Sequence, residues 1–186
     1  MATPSIEDRL AISDLFVRYT TGLDACDIDT VVGCFTADCT LVSPIHGAFR
    51  GHQGIRDFAA PNVKLKERGA QFRHFISNLV IDQKGDRAKA YCYLLDFVTV
   101  DGKTELLSPG VYDCDLVKQG GEWLMAQRLV NMDYKFSLPP AKKPRKTAAK
   151  KTRSKNRKPK KPKPKKTRAK KKPTLKRSAG RRNVRR

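Results

Sequence analysis

Residues 138–186 contain no Asp, no Glu and no aromatic residue. A segment so poor in apolar groups cannot bury enough surface to offset its ordering entropy, which excludes a packed domain there and predicts a disordered, extended chain. The same segment holds 25 of the chain's 40 Lys and Arg, and seven prolines between Pro139 and Pro173 exclude a regular helix. What remains in residues 1–137 is 15 basic against 18 acidic residues, a formal charge of −3 under a whole-chain value of +22. The sequence therefore reads as a mildly acidic domain, 1–137, followed by a basic tail, 138–186.

Long apolar runs are also missing. Nothing approaches the roughly 20 residues that a membrane helix needs, and "MATPSIEDRL" lacks the basic and then apolar pattern of a secretory signal. A soluble cytoplasmic protein is expected. The five cysteines, Cys26, Cys34, Cys39, Cys92 and Cys114, are odd in number and scattered through apolar stretches. They read as small buried hydrophobes and give neither a disulfide framework nor paired zinc spacing, so no metal and no cofactor is expected.

The first 137 residues suffice for one core. Ser5, with Glu7 and Asp8 after it, reads as a helix start, and Ile12, Leu15, Phe16, Tyr19 and Leu23 recur at helical spacing. Asp27 can cap a second short helix over "IDTVVGCF", burying Val31, Val32 and Phe35. "DCTLVSP" reads as a strand, and a further helix opens near Gly51 to Gln53 and bends or ends near Pro61. Four strand-like runs follow, "FRHFISNLVID", "RAKAYCYLLDFVTV", "ELLSPGVYDCDLVK" and "GEWLMAQRLVNMDY", parted by the turns "QKGD", "DGK" and "QGG". Helices first and antiparallel strands after predict an α+β fold with helices on one face of a curved sheet.

In "IEDRLAISDLFVRYTTGLDACDIDTVVGCFTADCTL", "FRHFISNLVID" and "GVYDCDLVKQGGEWLMAQRLV" the chain resembles the nuclear transport factor two-like superfamily, and within it the SnoaL-like and scytalone dehydratase-like proteins. The resemblance covers nearly all of residues 5–136. It implies a helix-backed conical sheet enclosing a pocket.

Two residues stand out in that pocket. A carboxylate at Asp24, just past a helix that runs to about Leu23, meets the negative end of the macrodipole, and desolvation would push its pKa upward as well. A neighbouring imidazole relieves that cost. His74 is the odd one of three histidines, set between Phe72 and Ile76 in an apolar strand, while His46, His52 and Trp123 read as loop, helix start and packing. The resemblance implies that Asp24 and His74 form an acid–base pair, with Asp24 fixing the imidazole tautomer. The sequence departs from the dehydratase pattern at Leu23, where that enzyme has a tyrosine, in "CTLVSP", which offers none, and near Val98, where its second histidine falls.

Strand parity supplies other candidates for substrate contact. Tyr112 points inward if it follows the resemblance, Asp96 shares a face with Cys92 and Leu94, and Asn78 shares one with His74. Tyr19 is placed at the pocket rim, and Arg128 in "MAQRLV" is a counter-charge of pocket or interface, or else a solvated strand residue. Tyr91, Tyr93 and Phe97 fall on the opposite, outer face.

Two function classes fit. The first is a dehydratase or isomerase acting on a small hydrophobic carbonyl-containing molecule. The second is a non-catalytic small-molecule-binding or dimerisation module, a homodimer or homotrimer serving as an adaptor. The tail resembles those of linker histones and lysine-rich nucleoid proteins, and its charge without aromatics predicts nucleic-acid binding through phosphates, independent of sequence. Nucleoid association in a bacterium, or a nuclear location in a eukaryote, would follow. A targeting signal, an anionic membrane contact and a solubilising extension are the other readings of the same charge.

Overall fold

A computed structural model describes residues 3–134; the basic tail and its boundary at residue 138 lie outside them. The order is α1 (Ile6–Ala25), α2 (Ile28–Val32), β1 (Phe35–Ser43), β2 (Gly47–Arg50), α3 (Gly51–Lys66), β3 (Gln71–Lys84), β4 (Arg87–Val100), β5 (Lys103–Gln119) and β6 (Glu122–Met132). One curled sheet runs β2-β1-β6-β5-β4-β3, and the helices cover its inner face. The α+β architecture is as the sequence predicts.

Local chemistry accounts for the ends of the helices. Ser5 Oγ accepts from the Asp8 N–H at 3.0 Å, and Asp27 caps α2 by accepting from the Thr30 N–H at 3.2 Å. Helix α1 closes on Cys26 in the left-handed region, φ 54°. Its predicted stripe of Ile12, Leu15, Phe16, Tyr19 and Leu23 is buried. Asp8 ties the start of α1 to three strands, its Oδ1 accepting from Lys118 Nζ and Trp123 Nε1 at 2.8 Å each and its Oδ2 from Gln83 Nε2 at 2.7 Å. These bonds hold its carboxyl well below the usual carboxylate range.

Four expectations need correction. Phe35 does not belong to α2, which stops at Val32; it opens β1. Helix α3 does not end at Pro61 but continues to Lys66, because beyond the proline Leu65 packs against the cluster of Ala70, Phe72, Val98 and Leu107, and Lys64 and Lys66 sit favourably in the last turn. That packing outweighs the roughly 3 kcal/mol that an interior proline costs. His46 itself sits in a turn, as read, but residues 47–50 after it form strand β2, which pairs with β1 and was not anticipated. Finally, β1 joins the sheet by pairing parallel to β6, so the sheet is not wholly antiparallel.

The turns joining β4 to β5 and β5 to β6 carry positive φ at both central residues, Asp101 with Gly102 and Gly120 with Gly121, which suits tight hairpins. Bulges bend the strands between. Ser77 pairs with Tyr93 and Val80 with Tyr91, leaving an extra residue on β3. Leu116 pairs with Met125 and Asp115 with Gln127, leaving Ala126 extra on β6. At Gly110, β5 passes so close to β6 that a Cβ would lie 2.5 Å from the Asn131 carbonyl oxygen. Only glycine fits there.

Candidate active site

The last turn of α1 and the start of β3 bring Asp24 and His74 together. Asp24 lies just inside the helix end, and the His74 Nδ1–H donates to its Oδ1 at 2.6 Å while the His74 backbone N–H donates to its Oδ2 at 3.3 Å. Both carboxylate oxygens are thus engaged by one residue. A proton fixed on Nδ1 leaves the Nε2 lone pair of the neutral ring facing the interior. On that side Asp96 Oδ1 lies 3.7 Å away, buried and without a hydrogen-bond partner. Burial pushes the Asp96 carboxyl above its ordinary value; His74 partly opposes that and Asp24 adds to it.

His74 and Asp96 line a cavity of about 60 Å³ whose wall also includes Tyr19, Leu23, Phe72, Leu94, Tyr112, Val130 and Met132. Polar and apolar side chains share that wall about equally, and the polar groups converge on one concavity, as they do in small-molecule sites. Tyr19 and Tyr112 both belong to it, as expected. The hydroxyl of Tyr19 is buried without a partner. Desolvation raises the Tyr19 phenol to about 12. It also raises that of Tyr112 well above its ordinary value, although Arg128 opposes both shifts, so each stays a neutral hydrogen-bond donor at neutral pH.

Arg128 is not a solvated strand residue: it is fully buried. The bulge at Ala126 inverts the parity of β6, so that Trp123 and Met125 point inward before it and Arg128 after it. Its Cζ lies 3.7 Å from the Tyr19 ring centroid and 3.5 Å from that of Tyr112, while Nη1 is directed to Met125 Sδ at 3.7 Å. No carboxylate among the described residues forms an ion pair with it. Leaving a cation unpaired in the interior costs several kcal/mol. Each desolvated ring contact returns about 2 kcal/mol, and the unfilled N–H donors remain a cost.

Asn78 is not in the site. It is the bulge residue of β3, exposed and in the left-handed region at φ 55°, and it inverts the parity that placed it beside His74. Three polar cavity residues were not anticipated there: Ser43, His46 and Asn62. Ser43 follows Cys39 and Leu41 on the inward face of β1, a signal of period two. Asn62 follows Ile55, Phe58 and Ala59 at helical spacing, and only the expected break at Pro61 hid it. The ring of His46 packs edge-on against Phe58, with centroids 5.8 Å apart, and partial desolvation lowers its pKa. Of the other two, His52 Nε2 contacts the Phe35 carbonyl at 3.1 Å near the start of α3, and Trp123 is packing held by Asp8.

Among the described residues no cluster of three or more His, Cys, Asp or Glu forms a metal site, and no helix is long and apolar enough to cross a membrane. Cys34, Cys39, Cys92 and Cys114 are buried as free thiols, raised by desolvation to about 11 at Cys92 and about 12 at Cys114.

A helix-backed curled sheet with a buried polar pair beside a small cavity defines a class, and the match to a family model narrows it. Residues 4–129 match the SnoaL-like domain, and the chain belongs to that family. Among solved structures it is similar to the Rv3472 protein of Mycobacterium tuberculosis, described as of unknown function, at 26% identity over 69% of this chain and 77% of that one, with a TM-score of 0.61. Aln2 from a Streptomyces species is 20% identical over 71% of this chain and 95% of its own, with a TM-score of 0.64. An NTF2-like protein with a cystatin-like fold from Novosphingobium aromaticivorans is 20% identical over 68% and 82%, with a TM-score of 0.62. The last two share the fold. No curated protein matches the chain.

Proposed function

We propose that the domain is a pocket enzyme that moves a proton on a small hydrophobic carbonyl-containing molecule, in a dehydration or an isomerisation. The observation that carries this reading is the 2.6 Å bond between Asp24 and His74, whose ring lines the cavity. His74 is the general base and then the general acid: Nε2 accepts a proton from the carbon beside the carbonyl, and Asp24 stabilises the imidazolium that results. Tyr112 and Tyr19 are neutral donors for the carbonyl oxygen as negative charge develops on it. Asp96, beside Nε2, contacts a polar substituent of the substrate or returns the proton.

Deuterium exchange from D2O into small enolisable ketones, followed by NMR, tests this. His74→Ala and Asp24→Asn should each slow exchange by about 10²- to 10⁴-fold. Unchanged exchange, with unchanged thermal stability, would sink the pair.

A second reading, a non-catalytic binding and dimerisation module, is favoured by a different face. On the outer side of the sheet, Phe75, Val80, Tyr91, Tyr93 and Leu95 are exposed together, with the two tyrosine rings 5.8 Å apart. Such a patch suits a homodimer or a homotrimer. In either reading the tail, residues 138–186, holds the protein on nucleic acid through phosphate contacts, and two tails per dimer raise the apparent affinity. A nucleoid or nuclear location goes with that role.

A further inference from the structure

An arginine presents two edges to a planar anion, an end-on edge made by Nη1 and Nη2 and a side-on edge made by Nε and Nη2. The side-on edge carries two parallel N–H donors whose spacing matches the two oxygens of a carboxylate. In Arg128 the end-on edge is turned partly to Met125 Sδ, and the two nitrogens of the side-on edge are the ones left without any partner. The residue is fully buried. Tyr19 and Tyr112 pack around Cζ at 3.7 and 3.5 Å, so the rings hold the guanidinium in place without occupying its donors. Asp96, a carboxylate of the adjoining cavity, lies against His74 instead.

We infer that the Nε–Nη2 edge of Arg128 is a carboxylate site, and that the ligand of this cavity is a small organic carboxylate anchored there. The two tyrosines connect the positions: both pack on Arg128 and both line the cavity. The Tyr19 hydroxyl, on a residue of the cavity wall, is likewise buried without a partner. Leu23, Phe72, Leu94 and Val130 then surround the apolar remainder of the ligand, which extends toward His74. A carboxylate neutralises the buried cation and fills both donors at once, whereas a neutral ligand or a water leaves the charge uncompensated. The inference rests on the reading of the cavity as a small-molecule site and names the class of molecule it takes.

The test uses the full chain with ¹⁵N-labelled arginine, titrated with benzoate and with benzamide, its uncharged analogue of the same shape. The Nε–H resonance of Arg128, identified by its contacts to the tyrosine rings and by its absence in Arg128→Lys, should move with benzoate and stay still with benzamide. Arg128→Lys keeps the charge and loses the fork; Arg128→Met loses both. Each should weaken benzoate at least about tenfold, and the wild-type titration decides the matter even if a variant does not fold. The assignment is overturned if the Arg128 signal is unmoved at saturating benzoate, or if benzamide moves it equally. Where both ligands shift the His74 ring signals and Arg128 stays still, the cavity is a small-molecule site and the carboxylate assignment alone falls. If neither ligand moves any cavity signal, the assignment falls too, and the acid–base reading is decided separately by the exchange rates of His74→Ala.

Discussion

Replacing Asp96 with Asn should make the protein more stable at neutral pH. Asp96 Oδ1 is buried and unpartnered, and desolvation raises the carboxyl above its ordinary value of 3.8. The folded form therefore keeps a proton that the unfolded chain releases, so stability falls as pH rises from the ordinary value through the folded one and stays reduced above it. Leaving a buried polar atom unsatisfied costs about 1–3 kcal/mol, and more when it is charged. Asparagine keeps the shape and removes the charge, which should recover roughly 1–2 kcal/mol, or a Tm rise of about 3–8 °C for a domain of this size. Thermal melts at pH 7 and at pH 3 form the assay. The gain should be present at pH 7 and absent at pH 3, where wild-type Asp96 is protonated in both states. A destabilised variant at pH 7, or a gain that does not depend on pH, would refute the argument that Asp96 carries a desolvation cost.

The opposite sign is expected at Asp8. Its carboxyl is held low by three side-chain donors, so the stability it contributes is present at neutral pH and is lost as pH falls below the ordinary carboxylate value. Asp8→Ala, which frees Lys118, Gln83 and Trp123 together, should cost about 2–3 kcal/mol in urea melts at pH 7, with a smaller difference at pH 3. Deleting residues 138–186 should abolish salt-sensitive retention on DNA and leave a domain with the same melt. In sedimentation, Tyr91→Asp with Tyr93→Asp should convert an oligomer to monomer and make retention by the intact chain more sensitive to salt.

Periodicity made most of the fold legible. The α1 stripe is a sustained 3.6-residue pattern and the hairpin turns carry Gly and Asp at positive φ, so both could be read directly. Strand β2 could not, because Gly47–Arg50 has four residues and no buried alternation. Among the site residues, Asp24 and His74 are 50 positions apart, and no local pattern joins them; the family motif did. Asp96 followed from parity, and Tyr112 from the resemblance. Asn78 and Arg128 illustrate the same limit in opposite directions. One extra residue on β3 turns Asn78 outward, and one on β6 turns Arg128 inward. A bulge is decided by pairing with the neighbouring strand, so it leaves no periodic trace in the sequence that carries it.

The interior keeps its anionic and cationic groups at separate positions: Arg128 is paired with no carboxylate among the described residues. Asp24, His74 and Asp96 form one cluster, where a proton can be held or passed, and Arg128 with Tyr19 and Tyr112 forms another, where negative charge is favoured. A fold selected for stability alone would join Arg128 to a carboxylate or replace both with apolar side chains of similar volume, which is neutral or stabilising in many cores. Here the cation is retained, held by aromatic rings that leave its two-donor edge free. A ligand with an anionic end and a reactive carbon would meet both clusters, and its binding would return stability through mass action, by about 2.7 kcal/mol at a concentration of 100 Kd. The cost of these buried groups and the affinity for such a ligand therefore have one physical origin: charges preorganised in the interior for the molecule that compensates them.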